Sequence, residues 1–401
     1  MTRRQSRLLA TTTLAATLLW LLIAPAQTSM ELAGTRALVD DDIEVVYQAP
    51  ASTPRGVLLI LHGCSHRATD AWPKSEKCPE CTGLPIETRV VAAALTRNWA
   101  VAAVTSHNRR SGCWSQRDID RIAKATGYVR RVTNAGPATV SLGASSGGSI
   151  AVLVPGAVAC VAQIMASPLE LDARHPPVRF VHMARDTHRA AMIHHQVSVL
   201  KERGVDAAEL IVEPEPLSAA ALFRRGAGPG GAVLPSREMS EKAFQALRDG
   251  GFVDASGFLV DDPRRTNWRD AVRPVVPEAV DSLVADASPV SEILNVAWAR
   301  HEFTDAHLEE SLDWLGEKAS SAASRGVWSS PRRVAKGRGE SLLVGRVEGL
   351  RAAVHQDLGH VCEALLGAPP QRGPASLVGR VEGLRAAVNQ DLGHVCEALL
   401  G

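Results

Sequence analysis

The sequence predicts an α/β protein whose central, mostly parallel sheet is covered by helices on both faces. Short apolar runs alternate with segments of helical spacing between residues 56 and 214, which is typical of a parallel sheet. A glycine-rich turn at residues 143–148 joins one apolar run to a segment of small residues. The chain has 401 residues, which is enough to bury a full core.

The composition excludes two classes of nucleic-acid binder. Lys and Arg number 44 and Asp and Glu number 43, so the formal net charge is only +1. Binding to nucleic acid through bulk positive charge is therefore excluded. The chain has only 6 Phe, 8 Trp and 2 Tyr, too few for a surface that stacks bases. We expect no nucleic-acid partner.

The first 26 residues have the pattern of a secretory signal peptide. Arg3, Arg4 and Arg7 precede a mainly apolar stretch at residues 8–23, and Ala-Pro-Ala follows at 24–26. This pattern predicts the secretory pathway, either outside the cell or in an endomembrane lumen. An uncleaved anchor that holds the protein at a membrane and an organellar transit peptide are the alternatives.

Apolar runs and helical periodicity assign the secondary structure in order. The predicted strands are residues 43–47, the segment 56–64 with its five consecutive apolar residues, 100–105, 138–142, 160–165, 178–184 and 209–213. The predicted helices are residues 84–96, 115–134, 187–203, 236–250, 290–299 and 305–315, and a hairpin turn is predicted at 254–257.

The alternation of predicted strands and helices divides the chain after the signal peptide into four regions. Residues 27–214 form the predicted core, and residues 215–290, which interrupt the alternation, form an inserted lid-like module. Residues 291–319 complete the core. Residues 320–401 are predicted to be a flexible linker followed by a helical tail.

That tail contains a tandem repeat with a period of 34 residues. The segment at 343–367 recurs at 377–401, and only His355 and Asn389 differ between the copies. Apolar residues spaced by three and four predict an amphipathic helix in each copy. A dispensable tail is the favoured interpretation. Self-association through the two helices, binding of a partner and an artefact of the gene model are the alternatives.

Four of the seven cysteines, Cys64, Cys78, Cys81 and Cys113, fall close together and are candidates for disulfide bonds. Four cysteines allow three pairings, and the sequence does not choose among them. Cys78 and Cys81 form a C-x-x-C pair that suits a loop staple, half of a zinc site or a redox dithiol. No second pair lies at zinc-finger spacing, which favours the staple.

The residues Gly143-Ala144-Ser145-Ser146-Gly147 form a G-x-S-x-G pattern between a predicted strand and a predicted helix. Such a turn holds its serine at the carboxyl edge of the sheet, where the N-terminus of the helix favours developing negative charge. Ser145 is therefore the candidate nucleophile, and an ordinary Gly/Ser turn is the alternative. The N–H groups of Ser146 and Cys64 are the candidate oxyanion hole, and His62 is assigned a structural role.

A serine nucleophile needs a base and an orienting acid, which follow it in the order acid, then histidine. Asp186 ends a predicted strand and is the preferred acid, although it also suits a helix N-cap. His301 is the preferred base. The alternatives are Asp206, Glu170 and Asp172 for the acid and His307 for the base, whereas His182, His188, His194 and His195 come too early in the chain.

These motifs resemble the α/β-hydrolase superfamily over about residues 40–316. The segments HGCSHRATDAWPKSEKCPECTGLP, SGCWS and RHEFT further resemble a poorly characterised plant and algal group within it. The resemblance implies an α/β-hydrolase fold in which Ser145, Asp186 and His301 are catalytic and Cys64 and Ser146 form the oxyanion hole. The stretch between residue 214 and His301 is longer than the family pattern.

Together these features predict a serine hydrolase that acts on a small-molecule carboxylic ester and needs no metal or organic cofactor. Acyl transfer or peptidase activity on the same triad is one alternative. A non-catalytic binding protein with this fold is another, in which the inserted module and the tail would carry the interaction. A thiol oxidoreductase or metal protein that uses Cys78 and Cys81 is the third.

Overall fold

A computed structural model of the chain describes residues 31–224, 233–234, 236–276 and 288–326. The predicted signal peptide and the tandem repeat lie outside the described residues. Among the residues that are described, no helix is both long and apolar enough to cross a membrane.

Eight strands form one sheet in the order β1-β2-β4-β3-β5-β6-β7-β8. β2 runs antiparallel to β1 and β4, and every other neighbouring pair is parallel. The strands are β1 (Thr35–Val39), β2 (Ile43–Gln48), β3 (Gly56–Leu61), β4 (Ala100–Val104), β5 (Ala138–Ala144), β6 (Ala159–Gln163), β7 (Val178–Met183) and β8 (Ala207–Val212).

Helices cover both faces of this sheet. They are α1 (Pro85–Thr96), α2 (Asp118–Thr133), α3 (Ser146–Ala151), α4 (Thr187–Glu202), α5 (Ala221–Arg224), α6 (Arg237–Asp249), α7 (Trp268–Val272), α8 (Pro289–Trp298) and α9 (Leu308–Ser324). Short 3-10 turns lie at Ala68–Ala71 and Pro263–Arg265. The predicted α/β class, with a mostly parallel sheet between helical layers, is confirmed.

Successive residues of the central strand β3 face opposite sides of the sheet and belong to two different hydrophobic clusters. Leu58 and Ile60 of β3 pack with α1, α8 and α9 on one face. Val57, Leu59 and Leu61 pack with α2 and α3 on the other. All five side chains are at most 2% exposed. A strand buried on both faces needs apolar residues at every position, which explains the continuous run at 57–61.

Four sequence-based assignments need correction. β1 was not predicted, because half-buried and exposed residues alternate up to the buried Val39 and include the exposed Arg36, as suits an edge strand. The last strand occupies 207–212 instead of 209–213. The helix predicted at 115–134 begins at residue 118, because the Asp118 carboxylate accepts the N–H groups of His107 and Ser115 and holds that approach as a loop. The last helix runs over 308–324 instead of 305–315.

The described residues of the segment 215–290 pack on the sheet rather than forming a core of their own. Leu222, Leu247 and Trp268 belong to the hydrophobic cluster that also contains Leu142 of β5 and Ile293 of α8. The predicted turn at 254–257 is a hairpin, in which Val253 and Leu259 form an antiparallel bridge. The segment thus shares its core with the rest of the fold.

The two edge strands each have a contact from outside the sheet. On β1, the N–H of Arg36 donates to the Lys77 carbonyl at 3.2 Å. On β8, the carbonyl of Ile211 accepts a hydrogen bond from Nε2 of His307 at 3.0 Å. Both groups point away from the neighbouring strand, so each contact satisfies an edge group that the sheet leaves unpaired.

Candidate active site

Ser145 lies in a tight turn between β5 and α3. Its backbone has φ 53° and ψ −123°, a conformation that side-chain-bearing residues rarely adopt. Its N–H donates to the Gln163 carbonyl at 2.9 Å, which fixes the turn to the end of β6. A Cβ at Gly147 would lie 2.0 Å from the Leu61 carbonyl oxygen, so only glycine allows α3 to start this close to β3.

The structure brings Ser145, His301 and Asp186 together. Nε2 of His301 lies 3.0 Å from Oγ of Ser145, and Nδ1 lies 2.6 Å from Oδ2 of Asp186. The His301 side chain is 35% exposed and that of Asp186 is 13% exposed. The imidazole can therefore accept a proton from the serine at one nitrogen while the carboxylate holds the other.

Asp186 makes contacts that correspond to both of the roles considered from the sequence. It follows β7 at the carboxyl edge of the sheet, where its Oδ2 atom meets His301. Its Oδ1 atom accepts the N–H of Arg189 at 3.3 Å and so caps α4. The cap fixes the carboxylate, because one oxygen is already held by the helix N-terminus.

The other candidate acids have partners elsewhere. Asp206 precedes β8, where its carbonyl accepts the Val178 N–H at the amino ends of β7 and β8, and its carboxylate pairs with Lys318. It therefore lies at the opposite end of the strands from the elbow. Glu170 pairs with Arg203, and Asp172 pairs with Arg174.

The other candidate histidines also lie on other elements. His182 is buried within β7, and His188, His194 and His195 lie on exposed positions of α4. His307 starts α9 and donates to the edge of β8. Only His301, of the described histidines, makes a hydrogen bond to Ser145.

The loop that carries His301 is held from two sides. On one side, the side-chain amide of Gln163 pairs with both backbone groups of Thr304, each at 3.0 Å. On the other, Arg264 donates to the His301 carbonyl at 2.6 Å, and Arg300 pairs with the buried Asp262 at 2.8 Å. The long connection before His301 therefore supports the histidine loop. Sequence reasoning missed Gln163, because a strand-end glutamine has no motif of its own.

The His62-Gly63-Cys64 loop passes beside the serine. A Cβ at Gly63 would lie 3.7 Å from Cβ of Ser145, and Sγ of Cys64 lies 3.3 Å from Oγ of Ser146. The N–H groups of Cys64 and Ser146 have no acceptor among the described residues. An oxyanion hole requires unpaired donors of this kind beside the nucleophile.

His62 is buried and has the structural contacts expected of it. Its Nδ1 lies 2.7 Å from the Gly63 carbonyl, and its Nε2 accepts the N–H of Ser106 at 3.2 Å. Burial lowers the pKa of His62 to about 4, so the ring is neutral near pH 7. That protonation state lets one nitrogen donate while the other accepts.

Two disulfides join the four clustered cysteines, Cys64 to Cys113 and Cys78 to Cys81. The structure thus selects one of the three pairings that the sequence allowed. The Cys78–Cys81 disulfide closes a turn within the loop after β3. No group of three His, Cys, Asp or Glu suited to a metal ion is found in the described part of the chain.

A buried group of ionisable residues lies behind the His62-Gly63-Cys64 loop. Glu87 and Glu292 start α1 and α8, and burial raises the pKa of Glu87 to about 7. Burial and the neighbouring Glu87 charge raise the pKa of Glu292 well above its usual range. Burial alone would lower the pKa of His66, but Asp70, 3.1 Å from its Nδ1, and the charge of Glu87 raise it to about 9.

The strand order, the elbow after β5, the loop after β3 and the acid after β7 together define the α/β-hydrolase fold. No protein-family model and no curated protein matches this sequence.

Solved structures of low similarity include three hydrolases. An esterase of Pyrococcus furiosus is 12% identical with a TM-score of 0.34, over 47% of this chain and 84% of its own. Carboxyl esterase 2 of Tuber melanosporum is 13% identical with a TM-score of 0.35, over 47% of this chain and 78% of its own. An acylaminoacyl peptidase of Pyrococcus horikoshii is 14% identical with a TM-score of 0.35, over 47% of this chain and 38% of its own. A shared fold does not define an activity.

Proposed function

We propose that this protein is a serine hydrolase that cleaves carboxylic esters through an acyl-enzyme. The observation that carries the proposal is the continuous contact from Ser145 Oγ to His301 Nε2, at 3.0 Å, and from His301 Nδ1 to Asp186, at 2.6 Å. A serine hydroxyl is a weak nucleophile near neutral pH unless an adjacent base takes its proton. The elbow presents that hydroxyl at the N-terminus of a helix.

In the proposed reaction, Ser145 attacks the ester carbonyl as His301 takes the hydroxyl proton. The N–H groups of Cys64 and Ser146 stabilise the oxyanion of the tetrahedral intermediate. The intermediate collapses to an acyl-enzyme, and His301 gives its proton to the leaving alcohol. Water, activated by the same histidine, then releases the carboxylic acid. Asp186 holds the imidazole tautomer and stabilises the imidazolium.

The cysteine chemistry supports a secretory compartment for the proposed enzyme. Disulfides persist in oxidising compartments and are rare in the cytosol. The two disulfides among the described residues support the secretory pathway for this chain. N-terminal sequencing of the mature protein tests cleavage near residue 26, and an intact N-terminus would favour anchoring or another destination.

Labelling by a fluorophosphonate probe tests the nucleophile, because such probes react with activated serines. Wild-type protein should label at Ser145 and hydrolyse p-nitrophenyl acetate. Ser145→Ala should lose labelling and reduce ester turnover by about 10⁴-fold or more. An unchanged turnover in Ser145→Ala would rule the proposal out.

Ser149→Ala is the matched control, because Ser149 lies in the same helix and its hydroxyl donates to the Ser146 carbonyl. This variant should label like wild type. Adding alcohol or amine acceptors to the ester assay separates hydrolysis from acyl transfer, and peptide substrates test peptidase activity. Folded wild-type protein that neither labels nor turns over any of these substrates would favour a binding protein.

A further inference from the structure

The loop that supplies the Cys64 N–H is fastened by a second segment, residues 111–114, which we call the clamp segment. The disulfide from Cys64 to Cys113 joins the two covalently. Next to it, the N–H of Ser65 donates to the Ser111 carbonyl at 2.7 Å. The clamp segment therefore holds the backbone on the C-terminal side of Cys64.

Trp114 holds the same loop on the other side of Cys64. Its indole N–H donates to the His62 carbonyl at 2.7 Å, and its ring packs against the His62 imidazole with a centroid distance of 5.0 Å. Trp114 is 5% exposed. A buried hydrogen bond of this kind fixes the peptide that follows His62.

The close approach of the clamp segment depends on Gly112. This residue has φ +68°, and a Cβ there would lie 2.7 Å from the Ser65 backbone nitrogen. A side chain would push the clamp segment away from the loop. Each of the four residues of the clamp segment thus helps to hold it against the loop that contains Cys64.

The clamped loop also touches the other candidate oxyanion residue. Sγ of Cys64 lies 3.3 Å from Oγ of Ser146, the residue after the nucleophile. A shift of Cys64 would therefore also disturb Ser146, which is next to Ser145 in the chain. Oxyanion donors act well only when their geometry is fixed before the reaction.

We infer that the Cys64–Cys113 disulfide and the Trp114 indole position the Cys64 N–H for oxyanion stabilisation, so that hydrolysis depends on the oxidised cysteine pair. The inference rests on the proposed esterase function. Cys113 and Trp114 are positioning residues, because they act through the loop and not on the substrate. A dithiol that reduces the disulfide transfers two electrons and two protons, gives two thiols and becomes a disulfide itself.

The test compares two double variants that each lack one disulfide. In Cys64→Ser/Cys113→Ser, kcat for p-nitrophenyl acetate should fall by about 10- to 100-fold with KM changed by less than about threefold, because the oxyanion contact is made in the transition state. The rate constant of fluorophosphonate labelling should fall in parallel. The final extent of labelling should stay complete, which separates a slower site from a smaller folded fraction.

Cys78→Ser/Cys81→Ser is the matched control, since it loses a disulfide of the same loop that does not include Cys64. It should keep the wild-type kcat. Equal rates in both double variants and wild type would overturn the inference while leaving the esterase proposal intact. A wild-type protein that neither labels nor hydrolyses would instead refute the proposed function.

Trp114→Phe keeps the test decisive if the double cysteine variant does not fold. Phenylalanine retains an aromatic ring against His62 and removes only the indole N–H. With the disulfide intact, kcat should fall by about three- to tenfold, with complete final labelling and an unchanged KM. A wild-type kcat in Trp114→Phe, together with no folded cysteine variant, would overturn the inference.

Discussion

The side-chain amide of Gln163 pairs with both backbone polar groups of Thr304, at 3.0 Å each. The backbone carbonyl of Gln163 also accepts the N–H of Ser145. One residue at the end of β6 thus fixes both the nucleophile turn and the loop that carries His301.

Replacing the Gln163 side chain should release the loop that carries His301 from the end of β6. Gln163→Leu leaves the buried N–H and carbonyl of Thr304 unpaired, at a cost of about 1–3 kcal/mol for each group. We expect kcat for ester hydrolysis to fall by about 10- to 100-fold, and steady-state kinetics would measure it. Gln245→Leu on the exposed face of α6 is the control, and an equal loss there would contradict the assignment.

Asp186→Asn should separate the two roles of Asp186. An asparagine oxygen can still accept the Arg189 N–H and cap α4, but the amide no longer holds the His301 tautomer as a carboxylate does. We expect a fall in kcat of about 10⁴-fold and a melting temperature close to that of wild type. Asp206→Asn, at the opposite end of the strands, should retain activity. Full activity in Asp186→Asn would show that another acid orients His301.

Two glycine-to-alanine variants should change stability in opposite directions. Gly147→Ala places a Cβ against the Leu61 and His62 carbonyls, so it should lower the melting temperature and abolish labelling. Gly127→Ala lies within α2, where the new Cβ has only an ordinary contact at 3.7 Å with Arg131. It should stabilise the protein by about 0.5–1 kcal/mol. Thermal unfolding measures both, and a stabilised Gly147→Ala would refute the close contact.

The buried pair Glu87 and Glu292 should make stability depend on pH. Both pKa values are higher in the folded protein than in an exposed carboxyl group, so the unfolded chain loses these protons first as pH rises. Stability contributed by the protonated pair is present below about pH 4.5 and falls as pH rises towards the folded pKa of Glu87, about 7, and beyond it for Glu292.

Glu292→Gln should flatten this dependence, because an amide has no proton to lose and can still accept the Ile86 N–H. Relative to wild type, we expect a melting temperature about 2–4 °C higher at pH 8 and little change at pH 5. The exposed Glu317→Gln is the control. A larger gain at pH 5 than at pH 8 would reverse the sign and contradict a protonated pair.

The sequence predicted those parts of the molecule in which the packing around a residue restricts the residue type at that same position. Continuous apolar runs identified β3 and β4, and the glycines around Ser145 identified the elbow, because each pattern reflects a steric demand of its own position. β1 was missed since two of its five residues are exposed and only Val39 is buried. Gln163 and the clamp segment were missed as supports, because their roles depend on partners distant in the chain. The pairing of Cys64 with Cys113 also required the fold.

Each outer strand of the sheet has one edge group that already makes a hydrogen bond with another part of the chain. A second chain that added its own strand to β8 would have to displace His307 from Ile211, and one that added to β1 would have to displace Lys77 from Arg36. At each edge, one of the backbone groups with which an incoming strand would pair is thus already occupied. Pairing at either edge would therefore require an incoming strand to replace a hydrogen bond that the chain already makes with itself.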